Sequence, residues 1–237
     1  MLLIACAALF VDLSKAFDTV DHSLLLHKLT GIGFDSISYA WFKNYLFNRL
    51  QCVKMDDVQS DFRIISKGVP QGSVLAPLLF SIFINDIIPL SDSCKFHLYA
   101  DDTVLYCTSA TPQLAIKYLQ SSFDSLQLQL HRHRLVLNTD KTKWMLFTKS
   151  THPELCNIIS TNGTSIEKVS QYKYLGIWLD NCLNFKHHIN TLIMKLRTIL
   201  GFLYRHKHSF PVHHRKRIVE SLFLSVLDYG ASCSKVI

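Results

Sequence analysis

The stretch His97-Leu98-Tyr99-Ala100-Asp101-Asp102-Thr103-Val104-Leu105-Tyr106 places two adjacent carboxylates between apolar and aromatic residues. This pattern predicts a strand, a tight turn and a second strand, with Asp101 and Asp102 at the bend. Neighbouring carboxylates between buried strands repel each other and lose hydration, which costs free energy that a bound cation would offset. A solvated Asp-Asp turn is the alternative for such a pair taken alone.

A third carboxylate favours the metal-binding interpretation. Asp12 follows the apolar run Ala7-Ala8-Leu9-Phe10-Val11, which is typical of a buried strand. Because one sheet can bring together acids at the ends of its buried strands, the sequence predicts a metal site built from Asp12, Asp101 and Asp102.

Composition predicts an ordered protein of one large domain, or of one domain with a small appendage. The chain has 237 residues, of which 49% are apolar. We expect no membrane partner, because no apolar run approaches the roughly 18 to 20 residues that a span requires. The apolar segment 1–11 lacks the positive flank of a signal peptide, and we interpret it as a buried strand.

The seven cysteines indicate a reduced intracellular setting, in the nucleus or the cytoplasm, rather than secretion. Their number is odd, and no two of them have the C-x-x-C spacing. The sequence therefore predicts neither a disulfide framework nor a zinc site.

The basic charge is concentrated near the C-terminus. Residues 181–219 contain eight of the 25 Lys and Arg residues, six histidines and none of the 18 Asp and Glu residues, so the rest of the chain is close to neutral. Such a segment suits a polyanion, most simply a nucleic-acid backbone. A solvated helical face is the alternative.

The hydrophobic pattern predicts an α+β fold, with a mixed core up to about residue 150, a small β element and a basic helical pair. Asp21 is a candidate N-cap, and Asn162-Gly163 is a strong hairpin signal. Helices are predicted over 23–29, 36–47, 74–88, 112–133, 186–205 and 211–229. Strands are predicted over 51–55, 62–66, 144–148, 157–160, 164–166 and 172–179. In the last of these, Gly176 is either a bulge or a point of close contact.

Gly68-Val69-Pro70-Gln71-Gly72-Ser73 is the most sharply defined loop, and it immediately precedes a predicted helix. Glycine at these positions permits positive φ or the close approach of another backbone, and Ser73 is a candidate helix cap. A simple turn before a core helix is the alternative. It leaves unexplained the Gln71 amide, for which the sequence offers no obvious partner.

Five motifs follow one another along the chain. They are FVDLSKAFD at 10–18, GVPQGSVL at 68–75 with FINDI at 83–87, YADD at 99–102, LN at 137–138 with KT at 141–142, and YKYLG at 172–176. Together they strongly resemble the first palm motif, template loop, catalytic turn, fourth motif and primer grip of non-LTR (LINE-type, jockey-like) retrotransposon reverse transcriptases. One departure is Ala76, which stands where that family usually has a second glycine.

The resemblance implies a polymerase-type palm, in which an antiparallel sheet packs on helices and is followed by a small β element and a helical thumb. Residues 1–150 would form the palm, 151–180 the β hairpin and primer-grip region, and 181–237 the start of a basic thumb. Nothing before Met1 corresponds to the fingers, so we expect a truncated copy or an incomplete gene product.

The implied activity is RNA-directed DNA polymerisation, with an RNA template, a DNA primer and deoxynucleoside triphosphates as partners. Asp12 and Asp101 would hold two Mg²⁺ ions, with Asp102 assisting and Mn²⁺ as a substitute. Lys141 is the candidate general acid for pyrophosphate, and an ordinary surface lysine is the alternative.

The resemblance also assigns binding roles. The Phe17 ring would lie against the sugar and exclude a 2′-hydroxyl, although an ordinary core phenylalanine is the alternative. Gln71, Gly72 and Tyr99 would contact the nucleotide or the template. The residues expected to contact nucleic-acid phosphates are Lys195, Arg197, Arg205, Arg215, Lys216 and Arg217.

Two other functions fit the same residues. One is a nucleic-acid-binding palm remnant that cannot polymerise, and the other is an inactive retroelement relic. The intact set of three acids favours the polymerase. The sequence does not indicate an oligomeric state.

Overall fold

A six-stranded sheet organises the first of the two units of the chain. The first unit comprises residues 1–168 and the second residues 169–237. The structure is a computed structural model, and it describes residues 5–88, 93–148 and 157–230. The elements of the first unit, in chain order, are β1 (Ala5–Val11), α1 (His22–Gly31), α2 (Ser36–Leu46), β2 (Arg49–Gln51), β3 (Lys54–Met55), β4 (Val58–Gln59), β5 (Arg63–Ile65), α3 (Ala76–Ile84), β6 (Lys95–Tyr99), β7 (Asp102–Ser109), α4 (Pro112–Arg132), β8 (Lys143–Phe147), β9 (Ile158–Ile159) and β10 (Ser165–Lys168).

The strands of this sheet lie in the order β6-β7-β1-β8-β10-β9, and every pair is antiparallel except β8 with β10. β1 therefore lies between β7 and β8. It pairs with β7 along its whole length, from Ala5 opposite Ser109 to Val11 opposite Thr103. The mixed α/β architecture with a mainly antiparallel sheet confirms the predicted fold class.

One face of the sheet packs on helices, and every second residue of β1 points to that face, because successive strand residues point to opposite faces. Leu9, Val11 and Leu105 belong to the main hydrophobic core together with Phe80 of α3 and Phe123 of α4. All five side chains are buried. The strand residues between them point to the opposite face of the sheet.

The predicted cap of α1 is present, and α4 has a cap that was not predicted. The Asp21 side chain accepts a hydrogen bond from the Leu24 N–H at 3.0 Å, and the Thr111 side chain accepts one from the Leu114 N–H at 3.4 Å. Each satisfies a backbone donor that the first turn of a helix leaves unpaired. The helix predicted over 74–88 is shorter, and in α3 it spans Ala76–Ile84.

The prediction of two strands over 51–55 and 62–66 is wrong in detail. β2 pairs with β5, whereas β3 and β4 form a separate small hairpin around Asp56 and Asp57. Asp56 has a φ of 51°, which closes the turn locally. The turn at Asp56 and Asp57 falls where the acidic pair predicts one, between the two predicted strands, whereas the break at residues 52–53, between β2 and β3, has no glycine or proline to signal it.

The cysteine prediction also needs correction. Cys94 and Cys107 are paired as a disulfide, with Cα atoms 4.5 Å apart. Lys95 lies opposite Tyr106 in the β6–β7 pair, so the preceding and following residues, Cys94 and Cys107, are also neighbours. Pairing across strands decides this contact, and sequence spacing does not reveal it. Cys156 and Cys233 lie outside the described residues.

The second unit begins with a hairpin and continues with helices. Its elements are β11 (Gln171–Tyr174), β12 (Ile177–Asp180), α5 (Lys186–Arg205), α6 (Val212–Val219), a π-helical turn (Glu220–Leu224) and α7 (Ser225–Asp228). The helix predicted over 186–205 is confirmed. The single strand predicted over 172–179 is wrong, because Leu175 and Gly176, with φ of 45° and 83°, form a two-residue turn between β11 and β12.

The boundary between the two units falls after residue 168, between the domain bounds predicted at 150 and 180. Strand β10 joins the large sheet by pairing with β8, which assigns residues 165–168 to the first unit. The functional labels of the predicted domains stay predictions. Within the described ranges, no helix combines the length and apolar character that crossing a membrane would require.

Candidate active site

The two adjacent carboxylates lie at the end of the β6–β7 hairpin, as the strand-turn-strand pattern predicts. Tyr99 pairs with Asp102, so Ala100 and Asp101 form a two-residue turn between them. Ala100 has a φ of 52°. Positive φ at the first turn residue is typical of hairpin turns that match the twist of their strands. Asp101 and Asp102 are exposed there.

Asp12 reaches the same place from the neighbouring strand. Val11 lies opposite Thr103, and continuing this register by one residue brings Asp12 beside Asp102. Residues directly opposite in an antiparallel pair share a face. Asp12 and Asp102 therefore lie on the face of the sheet opposite the helix-packed core, at one edge of the β1–β7 pair.

Electrostatics supports this grouping of the three acids. Although the Asp102 side chain is exposed, neighbouring atoms remove part of the hydration of its carboxyl, which raises its pKa above the ordinary value, and the negative charges of Asp101 and Asp12 raise that pKa further. Like charges disfavour ionisation only when they are close to one another. The three carboxylates thus form one acidic cluster, which we call the carboxylate cluster (Asp12, Asp101, Asp102).

The backbone of Asp12 is held by the segment that follows α4. The Asp12 N–H donates to the Thr142 hydroxyl at 3.2 Å, and the Asp12 carbonyl accepts from the Asn138 N–H at 2.9 Å. Thr142 is fully buried, and its own N–H donates to the Asn138 carbonyl. Both residues belong to the fourth motif, but their roles in holding Asp12 were not predicted. Their short polar side chains after a helix were the available signal.

Lys141 lies between these two residues and is exposed. Its backbone N–H donates to the Asn138 side chain at 3.3 Å. Because Asn138 also bonds Asp12, Lys141 belongs to the turn that supports the carboxylate cluster. Its proposed role in proton transfer stays a prediction.

The donor chemistry of the carboxylate cluster fits a hard divalent cation. In residues 5–88, 93–148 and 157–230, no three His, Cys, Asp or Glu side chains are arranged so that together they could hold a metal ion, and the predicted metal site of Asp12, Asp101 and Asp102 stays a prediction. Mg²⁺ rarely uses cages made of protein ligands alone, because it keeps several waters and binds one or two carboxylates together with substrate phosphates. A cation would also relieve the repulsion that raises the Asp102 pKa.

The loop after β5 is bound to the segment that follows Asp12. The Gly68 N–H donates to the Val20 carbonyl at 2.7 Å, and the Val69 N–H donates to the Phe17 carbonyl at 2.9 Å. Nε2 of the buried His22 lies 2.7 Å from the Gly68 carbonyl. These bonds hold the template-loop motif directly against the first palm motif.

The Gln71 amide has a partner, contrary to the expectation from sequence. Its Nε2 donates to the Asp18 carboxylate at 2.7 Å. Both side chains are exposed, and they are 53 positions apart in the chain. Sequence reasoning missed Asp18 because a contact between two loops leaves no periodic signal.

Phe17 lies on the same segment and is half-buried. Its ring stacks on Phe80, with the ring centroids 4.2 Å apart, and it packs against the core. Gly72, with a φ of 80°, has nothing within 4 Å of the position that a Cβ would occupy. Tyr99, beside the hairpin turn, is 65% exposed. Their nucleotide-binding roles stay predictions.

The predicted phosphate-contact residues lie in the second unit and are exposed. None of the residues of α5 or α6 is buried. Lys216 forms a helical ion pair with Glu220 at 3.8 Å, and Arg215 donates through Nε to the Phe210 carbonyl at 3.0 Å. The other members of this set are Lys195, Arg197, Arg205 and Arg217. Exposed basic side chains suit contacts with a polyanion, and their role stays a prediction.

Comparison with protein families matches residues 4–179 to one family, described as "Reverse transcriptase (RNA-dependent DNA polymerase)". The chain is 32% identical over 231 residues to the RNA-directed DNA polymerase from mobile element jockey of Drosophila melanogaster, covering 93% of this chain and 25% of that protein. It is 36% identical over 191 residues to the probable RNA-directed DNA polymerase from transposon BS of the same species, covering 78% and 21%. The chain thus spans about a quarter of the length of these relatives.

Two solved structures resemble the fold. The telomerase from Candida tropicalis in complex with the TWJ fragment of telomeric RNA has a TM-score of 0.52 at 12% identity, over 99% of this chain and 40% of that one. The telomerase from Candida albicans, in complex with the same kind of fragment, has a TM-score of 0.50 at 14% identity, over 98% and 40%. At such identities the likeness concerns the fold alone.

Proposed function

The chain belongs to the reverse transcriptase (RNA-dependent DNA polymerase) family, and on that premise we propose that it carries the polymerising site of a jockey-type, non-LTR retrotransposon enzyme. The family resemblance that the five motifs indicate is confirmed by these matches. The observation that carries the proposal is the carboxylate cluster, in which the β1–β7 register brings Asp12 beside Asp102 and the β6–β7 turn carries Asp101. Such a site adds deoxynucleotides to a DNA primer on an RNA template.

The carboxylate cluster would hold two Mg²⁺ ions, for which Mn²⁺ could substitute. When bound, such ions lower the pKa of the primer 3′-hydroxyl and neutralise charge on the leaving pyrophosphate. The chain supplies oxygen ligands on two neighbouring strands, and it fixes the Asp12 backbone through Thr142 and Asn138. Held in this way, the acids need little reorganisation when the substrate arrives.

Four residues, at the first palm motif, the template loop and the β6–β7 turn, would contact or position the nucleotide. The Phe17 ring is immobilised by stacking on Phe80, so its bulk can exclude a 2′-hydroxyl. Gln71 offers an amide on a loop that is hydrogen-bonded to the Phe17 segment. Gly72 leaves open space beside its Cα, which permits a close approach of substrate. Tyr99, exposed beside the turn, would contact the nucleotide or template.

Lys141 would act as the general acid, donating a proton from its ammonium group to the leaving pyrophosphate. Its exposure and its place in the Asn138 turn support this role. General acids contribute about 100- to 10,000-fold to rate when correctly placed. Lys141→Ala should retain the least activity, because it loses both the charge and the proton donor. Lys141→Arg should fall between Lys141→Ala and wild type, because arginine keeps the positive charge but releases its proton poorly.

The basic side chains of the second unit would contact the phosphates of the primer–template duplex. Such contacts orient a duplex without reading its sequence. Because the chain spans about a quarter of its relatives, the template, the primer and the complete reaction are proposed for the protein as a whole.

Metal binding and primer extension by matched variants test this function. Asp101→Asn removes one charge from the carboxylate cluster, whereas Asp57→Asn removes one from the exposed β3–β4 turn. We expect weaker Mn²⁺ binding by water-proton relaxation in Asp101→Asn only. We expect little or no primer extension by the 237-residue chain alone, so loss of Mg²⁺-dependent extension of a DNA primer on RNA by Asp101→Asn is to be measured in the whole protein. Equal Mn²⁺ binding by wild type and Asp101→Asn would contradict the assignment of the site.

A further inference from the structure

The Gln71 amide turns its nitrogen, and not its oxygen, toward the Asp18 carboxylate. An ionised carboxylate has no proton to donate, so the group facing it must be the amide nitrogen. This chemistry removes the ambiguity between oxygen and nitrogen that a side-chain amide otherwise has. The Gln71 Nε2 is therefore tied to Asp18 at 2.7 Å, and Oε1 is left as a hydrogen-bond acceptor.

The backbones that carry the two side chains are joined as well. A Cβ added to Gly68 would lie 2.8 Å from the Asp18 carbonyl oxygen and 2.9 Å from the Asp18 Cα. The loop is also hydrogen-bonded to Phe17, Val20 and His22, which flank Asp18 on both sides. Asp18 and Gln71 thus belong to two segments in direct contact, so the side-chain bond orients an amide on an already fixed backbone.

The pair borders an open cavity of about 770 Å³ in the first unit. Asp18, Gly68 and Gln71 line it together with the basic residues Arg49 and Lys67. Arg49 is held by a hydrogen bond from Nε to the Tyr45 carbonyl at 2.9 Å. Such a cavity, with basic residues and an oriented amide on its wall, suits an anionic ligand that also has a hydroxyl or amino donor.

We propose that Asp18 is a positioning residue, which orients the Gln71 amide so that Oε1 accepts a hydrogen bond from the nucleotide being added. The nucleotide part of this inference rests on the proposed function. Asp18 itself acts only through Gln71. Losing Asp18 frees the amide to rotate, and the acceptor is then presented only part of the time.

A nucleotide-binding cycle tests the coupling without requiring catalysis. A primer ending in a dideoxynucleotide is annealed to RNA and bound to the full chain. The next complementary deoxynucleotide is then added at increasing concentrations, and the stabilisation of this complex gives the nucleotide affinity. Asp18→Ala should weaken the nucleotide affinity about 3- to 10-fold, the size of one hydrogen bond. In a Gln71→Ala background the same change should have no further effect, because residues that act through one contact are not additive. Asp57→Ala is the charge-matched control and should not change the affinity.

Additive losses from Asp18→Ala and Gln71→Ala would overturn the proposal. If wild type binds no nucleotide, that result counts against the proposed function and not against the role of Asp18. A second measurement then tests the Asp18–Gln71 hydrogen bond by itself. The Gln71 side-chain amide signal in a ¹⁵N NMR spectrum should move in Asp18→Ala and stay in place in Asp57→Ala. A Gln71 signal that is identical in wild type and Asp18→Ala would overturn the positioning role.

Discussion

Gly68 is the residue where we expect the smallest substitution to have the largest effect on the first unit. Two features make alanine unfavourable there. Gly68 has a φ of 88°, and a Cβ would lie 2.8 to 2.9 Å from three backbone atoms of Asp18. Backbone atoms cannot move aside as the end of a flexible side chain can. The contact holds the template loop against the first palm motif, so the substitution acts on the candidate active site.

The expected loss of stability has two parts. Placing alanine in the left-handed region costs about 1–2 kcal/mol. Relieving the overlap with Asp18 costs about 1–3 kcal/mol, either as overpacking or as loss of the loop hydrogen bonds. Gly68→Ala should therefore lower the free energy of unfolding by about 2–5 kcal/mol. Gly72→Ala is a matched control, because its φ is 80° and nothing lies within 4 Å of its Cβ position.

Hydrogen exchange of the β1 amides measures this difference within the first unit, because the protected amides of a central strand exchange through large-scale opening. Each 1.4 kcal/mol corresponds to about tenfold in exchange rate, so Gly68→Ala should accelerate exchange by roughly 30-fold or more. Gly72→Ala and Gly163→Ala, which share the positive φ without a close contact, should each show only the smaller cost of about 1–2 kcal/mol. Equal acceleration by Gly68→Ala and Gly72→Ala would refute the reasoning about the Asp18 contact.

Three further outcomes follow from the same structure. Desolvation, and then the charges of Asp101 and Asp12, raise the pKa of Asp102 above its ordinary value in the folded protein. The folded state therefore holds this proton more tightly than the unfolded state, and the contribution to stability is fully present at low pH and is lost as pH rises through the folded pKa. Without metal, Asp102→Asn should therefore be more stable than wild type at neutral pH. Its melting temperature should also fall less than that of wild type between about pH 3 and pH 7. Melting temperatures of the two proteins that change in parallel with pH would contradict this. Thr142→Val removes the hydroxyl that accepts the Asp12 N–H and should lower the free energy of unfolding by about 1–3 kcal/mol, whereas an unchanged urea midpoint would show that the bond is dispensable. Neutralising the basic run 215–217 to glutamine should weaken binding to an RNA–DNA duplex and flatten its dependence on salt, and an unchanged salt slope would mean that these charges are merely solvated.

Local sequence signals predicted the elements that depend on local physics. The hairpin at Tyr99–Asp102, the helix at Lys186–Arg205 and the Asp21 cap each follow from neighbouring residues. Periodicity and capping act within a few positions, so they can be read without knowledge of the fold. The same signals, together with the apolar run before Asp12, indicated that three acids would meet.

Other parts of the site depend on contacts that the chain pattern does not encode. Asp18 and Gln71 are 53 positions apart, and Thr142 bonds Asp12 across 130 positions. Neither pair has a characteristic spacing. The β11–β12 turn was missed for a local reason, because Leu175 adopts positive φ, a conformation that an aliphatic residue rarely takes.

The position of β1 in the sheet explains how residues so distant in sequence form one site. β1 carries Asp12 and lies between β7, which begins at Asp102, and β8, which Thr142 immediately precedes. Seven successive residue pairs fix the register between β1 and β7. A slip of one residue would turn the Asp12 side chain toward the helix-packed core and bring Val11 to the opposite face of the sheet, where Asp102 lies. Leu9 and Val11 lie in the main hydrophobic core, so the packing that stabilises the sheet also holds the carboxylate cluster in place.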